Sequence, residues 1–370
     1  MPELFETSVI NGLRLKNRFI RSATWEGMAL EDGAATPHLV TLYEKLAAGQ
    51  IGLIICSHAY ITQEGQATPW QLGIYKDGLT ASLRQITDAV HRHGCQIVAQ
   101  LAHAGCFTSQ KLTGSAPLAM SIVDEKGKNR YRVATTKELK ELPAHFAKAA
   151  LRAREAGFDG VQLHAAHGYL LSQSLSPAFN QRDDPYGGSL ENRARLMLEA
   201  LSEVRGAVGR SFPVLIKLNC ADFVEGGLTV EDALKFGRML QNAGIDAIEV
   251  SGGTLVSGDL SPIRQKINSE EKEAYFKEAA KRFKETLSVP IILVGGIRSL
   301  SLAETLLDDG VADYFSMARP LIREPDLVSR WQAGDRSKST CLSDNLCNQT
   351  ARSGQGLYCV VEKKMEPQKG

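Results

Sequence analysis

The run Phe158-Asp159-Gly160-Val161-Gln162-Leu163-His164 predicts a short strand that is buried on both faces. It continues through His167, Gly168 and Tyr169 into a polar loop that contains glycine, and Ser189 is the expected N-cap of the next helix. Polar side chains that directly follow a buried strand are costly unless they bind or react with something. This loop is therefore the first candidate for a functional site.

Similar apolar runs recur along the chain, and amphipathic helical patterns separate them. Strands are predicted at Arg18–Ser22, Ile51–Ser57, Gln96–Gln100, Gly160–His164, Val214–Asn219, Ala247–Ser251, Ile291–Val294 and Tyr314–Met317. Eight such strands in alternation with helices predict one (β/α)8 barrel, a TIM barrel of the α/β class. We expect a single barrel domain over residues 1–335 and a C-terminal tail over residues 336–370. Gly105–Val133 departs from the repeat and predicts a loop or small hairpin over the barrel mouth.

The composition excludes several classes of function. Lys and Arg total 43 against 42 for Asp and Glu, and no polybasic block occurs, which argues against nucleic acid or a membrane surface as the main partner. No apolar run approaches the roughly 20 residues that span a bilayer. The first residues lack the pattern of a signal peptide, and most of the cysteines lie in or beside apolar runs. We expect a reduced, cytoplasmic protein. The sequence leaves open whether the protein forms a homo-oligomer.

Chemistry in such a barrel lies at the carboxyl ends of the strands. Gly295 and Gly296 follow the seventh strand and Arg319 follows the eighth, which predicts a phosphate site. Gln100 can pair with an imide-like edge, and Lys217 can place positive charge beside a ring that becomes anionic on reduction. A planar ring with a phosphate suggests flavin mononucleotide (FMN).

An ordered set of motifs makes the interpretation specific. The set is His164-x-x-His167-Gly168-Tyr169, Ser176-Pro177, Asn180, Arg182, Asp183, Tyr186-Gly187-Gly188-Ser189 and Glu191-Asn192-Arg193, with Asn17-Arg18, Gln100-Leu101-x-His103-x-Gly105 and Ala318-Arg319-Pro320 elsewhere. With these motifs the chain resembles the old yellow enzyme family of FMN-dependent NADH:flavin oxidoreductases, or ene-reductases. The resemblance covers about the first 335 residues and is nearest to the barrel domain of members like 2,4-dienoyl-CoA reductase.

The resemblance implies a two-step cycle. NAD(P)H reduces the flavin, and an electron-poor alkene conjugated to a carbonyl then takes hydride from flavin N5. His164 and His167 are expected to hydrogen-bond the carbonyl oxygen and stabilise its developing negative charge. Tyr169 is expected to deliver the proton to the other alkene carbon.

The resemblance also assigns residues to the cofactor and the substrate. The flavin is expected to contact Ala23, Thr24, Ala59, Gln100 and Lys217, and its phosphate Gly295, Gly296, Ala318 and Arg319. The substrate is expected to contact Trp25, His164, His167 and Tyr169. Many relatives have Thr or Cys where this sequence has Trp25. The large indole ring near the substrate is expected to work against efficient reduction of ordinary enones.

The tail also departs from the iron–sulfur members of the family, such as 2,4-dienoyl-CoA reductase and trimethylamine dehydrogenase. Those relatives carry four cysteines after the barrel. Here the order is Cys341-x2-Asp344-x2-Cys347-x11-Cys359, in which a carboxylate replaces one thiolate. Thiolates are the usual ligands of iron–sulfur clusters, so the pattern favours a decayed site over a working cluster.

Three other interpretations stay open from the sequence. His164 and His167 could be zinc ligands or satisfied core histidines, but no third ligand with metal-site spacing is evident, and we expect no metal. A non-redox aldolase or isomerase could use Lys217 as a Schiff-base amine. A catalytically silent barrel could keep FMN for binding or assembly alone.

Overall fold

Eight parallel strands close into a barrel in the order in which they occur along the chain. A computed structural model describes residues 3–121 and 131–365. The barrel strands are β1 Phe19–Arg21, β2 Leu53–Tyr60, β3 Gln96–Ala102, β4 Gly160–Ala165, β5 Val214–Asn219, β6 Ala247–Ser251, β7 Ile291–Val294 and β8 Tyr314–Met317. The predicted α/β class and (β/α)8 barrel are confirmed.

One long helix follows each of the first seven strands. These helices are α1 Pro37–Ala48, α2 Thr80–His91, α3 Thr136–Glu155, α4 Leu190–Val208, α5 Val230–Asn242, α6 Lys277–Thr286 and α7 Leu300–Asp308. Shorter helices lie at Gln110–Thr113, Leu170–Leu175, Arg319–Arg323, Leu327–Gln332, Leu346–Arg352 and Val360–Met365. Ser189 is the N-cap of α4, as predicted, and its side chain accepts from the Asn192 amide. Within residues 3–121 and 131–365, no helix is long and apolar enough to cross a membrane.

The barrel interior changes from apolar to polar along the strands. An antiparallel pair, Ser8–Ile10 with Leu13–Leu15, contributes Ile10, Leu13 and Leu15 to the apolar cluster inside the barrel. That cluster also holds buried side chains of the strands, namely Ile20, Leu53, Ile55, Val98, Leu215, Ala247, Ile292 and Tyr314. Because side chains alternate between faces, the next inward position on β3, β4, β5, β6 and β8 carries Gln100, Gln162, Lys217, Glu249 and Ser316.

The insertion after β3 packs beside the loop that follows β4. Its described ends form a two-stranded parallel pair, Leu118–Ala119 with Arg132–Val133, rather than an antiparallel hairpin. Residues 122–130, which belong to the predicted insertion, lie outside the described residues. The Arg182 guanidinium donates to the carbonyl oxygens of Met120 and Ala134 at 3.1 and 2.6 Å, and so ties the two loops together.

The tail lies against the carboxyl end of the barrel. The Ser339 amide donates to the Arg298 carbonyl at 2.9 Å, and Asn345 Oδ1 accepts from the Arg319 guanidinium at 2.7 Å. Gly27 approaches the tail so closely that a Cβ there would lie 2.9 Å from the Ala351 carbonyl oxygen. The tail therefore packs against the end of the barrel that carries the candidate site. The domain boundary expected after residue 335 stays a prediction.

Candidate active site

A cavity of about 340 Å³ opens at the carboxyl ends of the barrel strands. Most of the residues that the sequence assigned to a site line it, and these are Ala23, Thr24, Trp25, Gln100, His164, His167, Tyr169, Lys217, Gly296, Ala318 and Arg319. Ala59 and Gly295 are not among the lining residues. A pocket of a few hundred Å³ with a few convergent polar groups is the usual form of a cofactor site.

A β-bulge explains why Ala59 lies away from the cavity wall. The ladder between β2 and β3 shifts its register between Ile55 and His58. Leu53 and Ile55 belong to the cluster inside the barrel, whereas Ala59 packs in the outer core. After the bulge His58 faces the cavity instead. A contact between Ala59 and the cofactor stays a prediction.

Two consecutive glycines after β7 are required by the backbone and by neighbouring rings. Gly295 and Gly296 have φ angles of 131° and 76°, a region that side chains disfavour. A Cβ on Gly295 would lie 3.0 Å from the rings of both Tyr275 and Phe276, and one on Gly296 would lie 2.9 Å from Tyr275. Gly296 lines the cavity, while Gly295 lies behind it against these rings. The phosphate role of Gly295 stays a prediction.

Three aromatic side chains at the carboxyl end of β4 and in the loop after it form one wall of the cavity. The ring centroid of His164 lies 5.2 Å from that of His167 and 4.8 Å from that of Tyr169. His167 has a φ of 64°, and its amide donates to Asn219 Oδ1 at 3.1 Å. Its Nε2 lies 2.8 Å from Ser251 Oγ. Neighbouring strands therefore fix a strained turn and aim the rings into one space.

His58 extends this wall from the other side. Its ring stacks on Tyr169 with centroids 5.6 Å apart and 11° between the planes. His58 Nε2 lies 3.1 Å from the Tyr169 hydroxyl, within hydrogen-bond distance. We call His58, His164, His167 and Tyr169 the histidine–tyrosine wall.

Burial sets the charge state of this wall. The pKa of His58 is lowered to about 4, first by burial and then by the positive charge of Lys217. Burial is also the main reason that the pKa values of His164 and His167 lie well below the ordinary value. Burial raises the pKa of the Tyr169 hydroxyl. Near neutral pH the wall therefore holds three uncharged imidazoles and a protonated phenol.

The opposite end of the cavity carries permanent charge. The Arg319 guanidinium donates to the Arg264 carbonyl and to Asn345 Oδ1, both at 2.7 Å. The Arg298 Nε is buried without a hydrogen-bond partner. Arg298, Arg319 and Arg352 line the cavity with Lys217, and none of the lining residues in the described part of the chain is Asp or Glu. We call Gly296, Arg298 and Arg319 the arginine end.

These features fit FMN. Lys217, Arg298 and Arg319 give the cavity a positive wall that suits a phosphate and a ring that gains negative charge. Gln100 presents its side-chain amide to the cavity. Gly296 has no side chain that would keep a phosphate group away from the backbone next to Arg319. The buried Trp25 Nε1 and His164 Nδ1 have no hydrogen-bond partner, so the cavity lining still offers polar atoms to a bound molecule.

The tail thiols do not fit an iron–sulfur cluster. Cys341, Asp344, Cys347 and Cys359 line a second pocket of about 20 Å³, which adjoins the main cavity at Cys347 and has room for about one water molecule. In residues 3–121 and 131–365, no three His, Cys, Asp or Glu side chains are grouped so that they could hold a metal ion. Burial raises the pKa values of the Cys341 and Cys347 thiols.

Comparison with known proteins decides the family. The model of the NADH:flavin oxidoreductase / NADH oxidase family matches residues 3–338. The chain belongs to this family. It is 34% identical to the NADH oxidase of Thermoanaerobacter brockii over 93% of this chain and 53% of that protein. It is 34% identical to the NADPH dehydrogenase of Halalkalibacterium halodurans over 87% of this chain and 92% of that protein.

A solved structure agrees with this assignment. The old yellow enzyme homologue from Zymomonas mobilis superposes with a TM-score of 0.77 at 28% identity, over 92% of this chain and 96% of that one. The predicted old yellow enzyme family and its cofactor FMN are confirmed. The chain spans about half the length of the T. brockii oxidase, so that protein's whole activity is not transferred to it.

Sequence reasoning missed several residues of the site. His58 and Arg298 line the cavity, and Ser251 both lines it and holds His167. The tail contributes lining residues as well, namely Ser343, Asn345, Cys347, Asn348, Arg352 and Leu357. Glu249 and Gln162 form the floor without being named as site residues beforehand. The sequence could have indicated Glu249 and Gln162, because each is a polar residue at an inward position of an apolar strand.

Proposed function

We propose that this protein is an FMN-dependent oxidoreductase that uses NAD(P)H to reduce alkenes conjugated to a carbonyl group. The observation that carries the proposal is the histidine–tyrosine wall, in which uncharged imidazoles and one protonated phenol share a single face of the cavity. An enolate that forms beside this wall needs hydrogen bonds to its oxygen and a proton at carbon. The wall offers both.

His164 and His167 are proposed to bind the carbonyl oxygen. Both are neutral near pH 7, so each can donate one N–H without adding a full charge. Ser251 Oγ lies 2.8 Å from His167 Nε2 and fixes the plane of that ring. Fixed donors in a buried site stabilise a developing oxyanion without further reorganisation.

Tyr169 is proposed to deliver the proton. Its raised pKa keeps the phenol protonated until a stronger base forms beside it. The contact between its hydroxyl and His58 Nε2 at 3.1 Å orients the O–H group. Because His58 is itself uncharged near neutral pH, it positions Tyr169 without competing as an acid.

The remaining lining residues are proposed to hold the cofactor and the substrate. When bound, FMN supplies the hydride-transfer chemistry. Gln100 and Lys217 are assigned to its ring, and Gly296, Ala318 and Arg319 to its phosphate end. Ala23 and Thr24 line the adjoining wall. Trp25 presents a half-buried indole to the same space, and we assign it to the substrate.

The Schiff-base alternative is disfavoured by the surroundings of Lys217. Its Nζ lies 3.2 Å from Glu249 Oε1 and donates to Ser22 Oγ at 2.7 Å. A Schiff base requires a free amine, whereas this nitrogen is engaged by a carboxyl group and a hydroxyl group. Borohydride trapping with aldehyde and ketone substrates is expected to leave Lys217 unmodified.

Anaerobic reduction of the purified holoprotein tests the proposal. The protein is titrated with NADH and with NADPH, and the flavin absorbance is followed; 2-cyclohexenone and other activated alkenes are then added. We expect bleaching by at least one nucleotide and recovery of the absorbance by an alkene. A protein that binds no flavin contradicts the proposal. Flavin that no nicotinamide bleaches indicates the silent barrel, and reduced flavin that no alkene reoxidises excludes the ene-reductase activity.

A further inference from the structure

The floor of the cavity is a chain of buried hydrogen bonds between side chains of neighbouring strands. Gln100 and Gln162 lie opposite each other in the ladder of β3 and β4, and Lys217 lies opposite Glu249 in the ladder of β5 and β6. Gln100 Nε2 donates to Gln162 Oε1 at 2.7 Å, and Gln162 Nε2 donates to Glu249 Oε2 at 2.9 Å. All four side chains are buried, and Glu249 is fully so.

The second oxygen of Glu249 is also surrounded by donors. Glu249 Oε1 accepts from Ser22 Oγ at 2.7 Å and from Ser316 Oγ at 2.9 Å, and it lies 3.2 Å from Lys217 Nζ. Lys217 also donates to Ser22, which therefore has its proton directed at Glu249. The two oxygens of Glu249 thus meet the Lys217 nitrogen and three further hydrogen-bond donors, which are Ser22, Ser316 and Gln162.

The carboxylate imposes a direction on both amides. An ionised carboxylate only accepts hydrogen bonds, so Gln162 must turn its NH2 group toward Glu249. Its carbonyl oxygen then faces Gln100, and Gln100 must turn its own NH2 group toward Gln162. The Gln100 carbonyl oxygen is thereby left for the cavity, where Gln100 is a lining residue.

We propose that Glu249 is a positioning residue that sets both the hydrogen-bond polarity and the charge of the cofactor floor. Through Gln162 it presents the Gln100 carbonyl oxygen as an acceptor for an N–H group on the edge of the ring. Through Lys217 it offsets part of the positive charge beneath the ring, and so limits how strongly the floor favours a reduced, anionic ring. This inference rests on the proposed function, because it assumes that the ring is a flavin.

The test is the midpoint potential of the bound flavin in Glu249→Gln. An amide has no charge and can present either its oxygen or its NH2 group to Gln162, so both effects are lost. We expect the variant to favour the reduced over the oxidised cofactor at least tenfold more than the wild type does, a rise of about 30 mV for a two-electron couple. Glu249→Asp keeps the charge and is expected to restore most of the wild-type potential.

Asp246→Asn is the matched control. Asp246 directly precedes the same strand, forms an ion pair with Arg205, and accepts from the Val214 amide at 2.7 Å, at the opposite end of the barrel. Its substitution removes a partly buried, paired carboxylate that is remote from the cavity. Both variants are expected to lose stability, but only Glu249→Gln is expected to shift the potential. Equal potentials in wild type and Glu249→Gln overturn the inference.

Gln162→Met tests the amide chain separately and covers the case in which Glu249→Gln does not fold. It cuts the link between Glu249 and Gln100 and leaves the Lys217–Glu249 pair intact. We expect FMN affinity, measured by fluorescence titration, to fall about five- to tenfold, as for one hydrogen bond of about 1 kcal/mol. Unchanged affinity refutes the amide chain. A wild type that binds no FMN refutes the proposed function instead, so the two failures are distinct.

Discussion

The two ends of the cavity differ in the charge that their side chains carry near neutral pH. The histidine–tyrosine wall has no permanent charge near neutral pH, because burial keeps the pKa values of its histidines low and that of Tyr169 high. The arginine end carries the guanidinium groups of Arg298 and Arg319. A group that must give up a proton or meet a transient charge is best left neutral. A group that must hold a phosphate is best left charged.

The difference also appears in how the side chains are fixed. In the wall, Asn219 holds the His167 amide and Ser251 holds its ring, both from neighbouring strands. At the arginine end, the loop carbonyl of Arg264 and the tail residue Asn345 hold Arg319. Rigid strands position the groups proposed to react, while loops and the tail position the groups proposed to retain the cofactor. Substitutions in the two regions are therefore expected to separate chemistry from cofactor retention.

Tyr169→Phe is the substitution with the largest expected effect. It keeps the ring and its stacking on His58 and removes only the hydroxyl. We expect steady-state alkene reduction to slow by about 10²–10⁴-fold, the usual contribution of a general acid, with FMN affinity unchanged. The control is Tyr186→Phe, because this buried tyrosine lies in the loop after β4 with its hydroxyl on Glu199 at 2.8 Å, away from the cavity. A comparable loss of turnover in both variants contradicts the assignment.

The neutral wall predicts a loss of stability in acid. The unfolded chain protonates His58 below about pH 6.5, whereas the folded protein resists until about pH 4. The folded state binds fewer protons in this window, so the free energy of unfolding falls as the pH falls through it. For His58 alone the loss amounts to about 3 kcal/mol.

Denaturant unfolding of wild type and His58→Gln between about pH 7 and pH 4 measures this contribution. The wild type is expected to lose about 3 kcal/mol more than the variant over that range. Parallel pH curves for the two proteins indicate that His58 is already charged in the fold, and then the wall is not neutral.

Arg319→Ala tests the charged end. It removes a charge-assisted phosphate contact of about 1.5–3 kcal/mol, so FMN should bind roughly ten- to a hundredfold more weakly. The half-reaction with alkene, measured at saturating FMN, should change little. Arg323→Ala is the matched control, since Arg323 ends the same short helix but contacts Thr340 and Cys359, which line the small pocket of about 20 Å³ in the tail. Equal FMN affinity in Arg319→Ala and wild type would remove Arg319 from the phosphate site.

His167→Ala is expected to have the smallest effect of this series on binding. It removes one neutral hydrogen-bond donor, so a phenol that mimics the substrate oxygen should bind about two- to tenfold more weakly. The affinity is read from the change in flavin absorbance on titration. His91→Ala serves as the control because His91 pairs with Asp159 and does not line the cavity. If His167→Ala binds the phenol as tightly as the wild type does, His167 does not bind the substrate carbonyl.

The sequence predicted the barrel and three residues of the wall, His164, His167 and Tyr169, because both depend on local signals. Eight short apolar runs mark strands whatever their partners are. His164, His167 and Tyr169 are neighbours in the chain at the end of one strand, so the strand alone brings them together. The order of carboxyl ends around a barrel then places Lys217 and Arg319 on the same rim.

Other parts of the site depend on contacts that leave no periodic signal. His58 reaches the cavity only because a bulge shifts β2 by one position, and this shift moves Ala59 to the outer core. The tail lies over the cavity through scattered contacts, such as that of Asn345 with Arg319. Glu249 could have been found, since an acidic residue within an apolar strand must face partners or bind something.

Stopped-flow separation of the two half-reactions in Tyr169→Phe tests the division of the cavity most directly. The flavin of the variant is first reduced with NADH or NADPH, and the reduced protein is then mixed with an activated alkene under anaerobic conditions. The wall is proposed to act on the substrate, so we predict near-normal flavin reduction and reoxidation slowed by about 10²–10⁴-fold. If both half-reactions slow equally, or if neither slows, Tyr169 is not the proton donor and the proposed role of the wall is wrong.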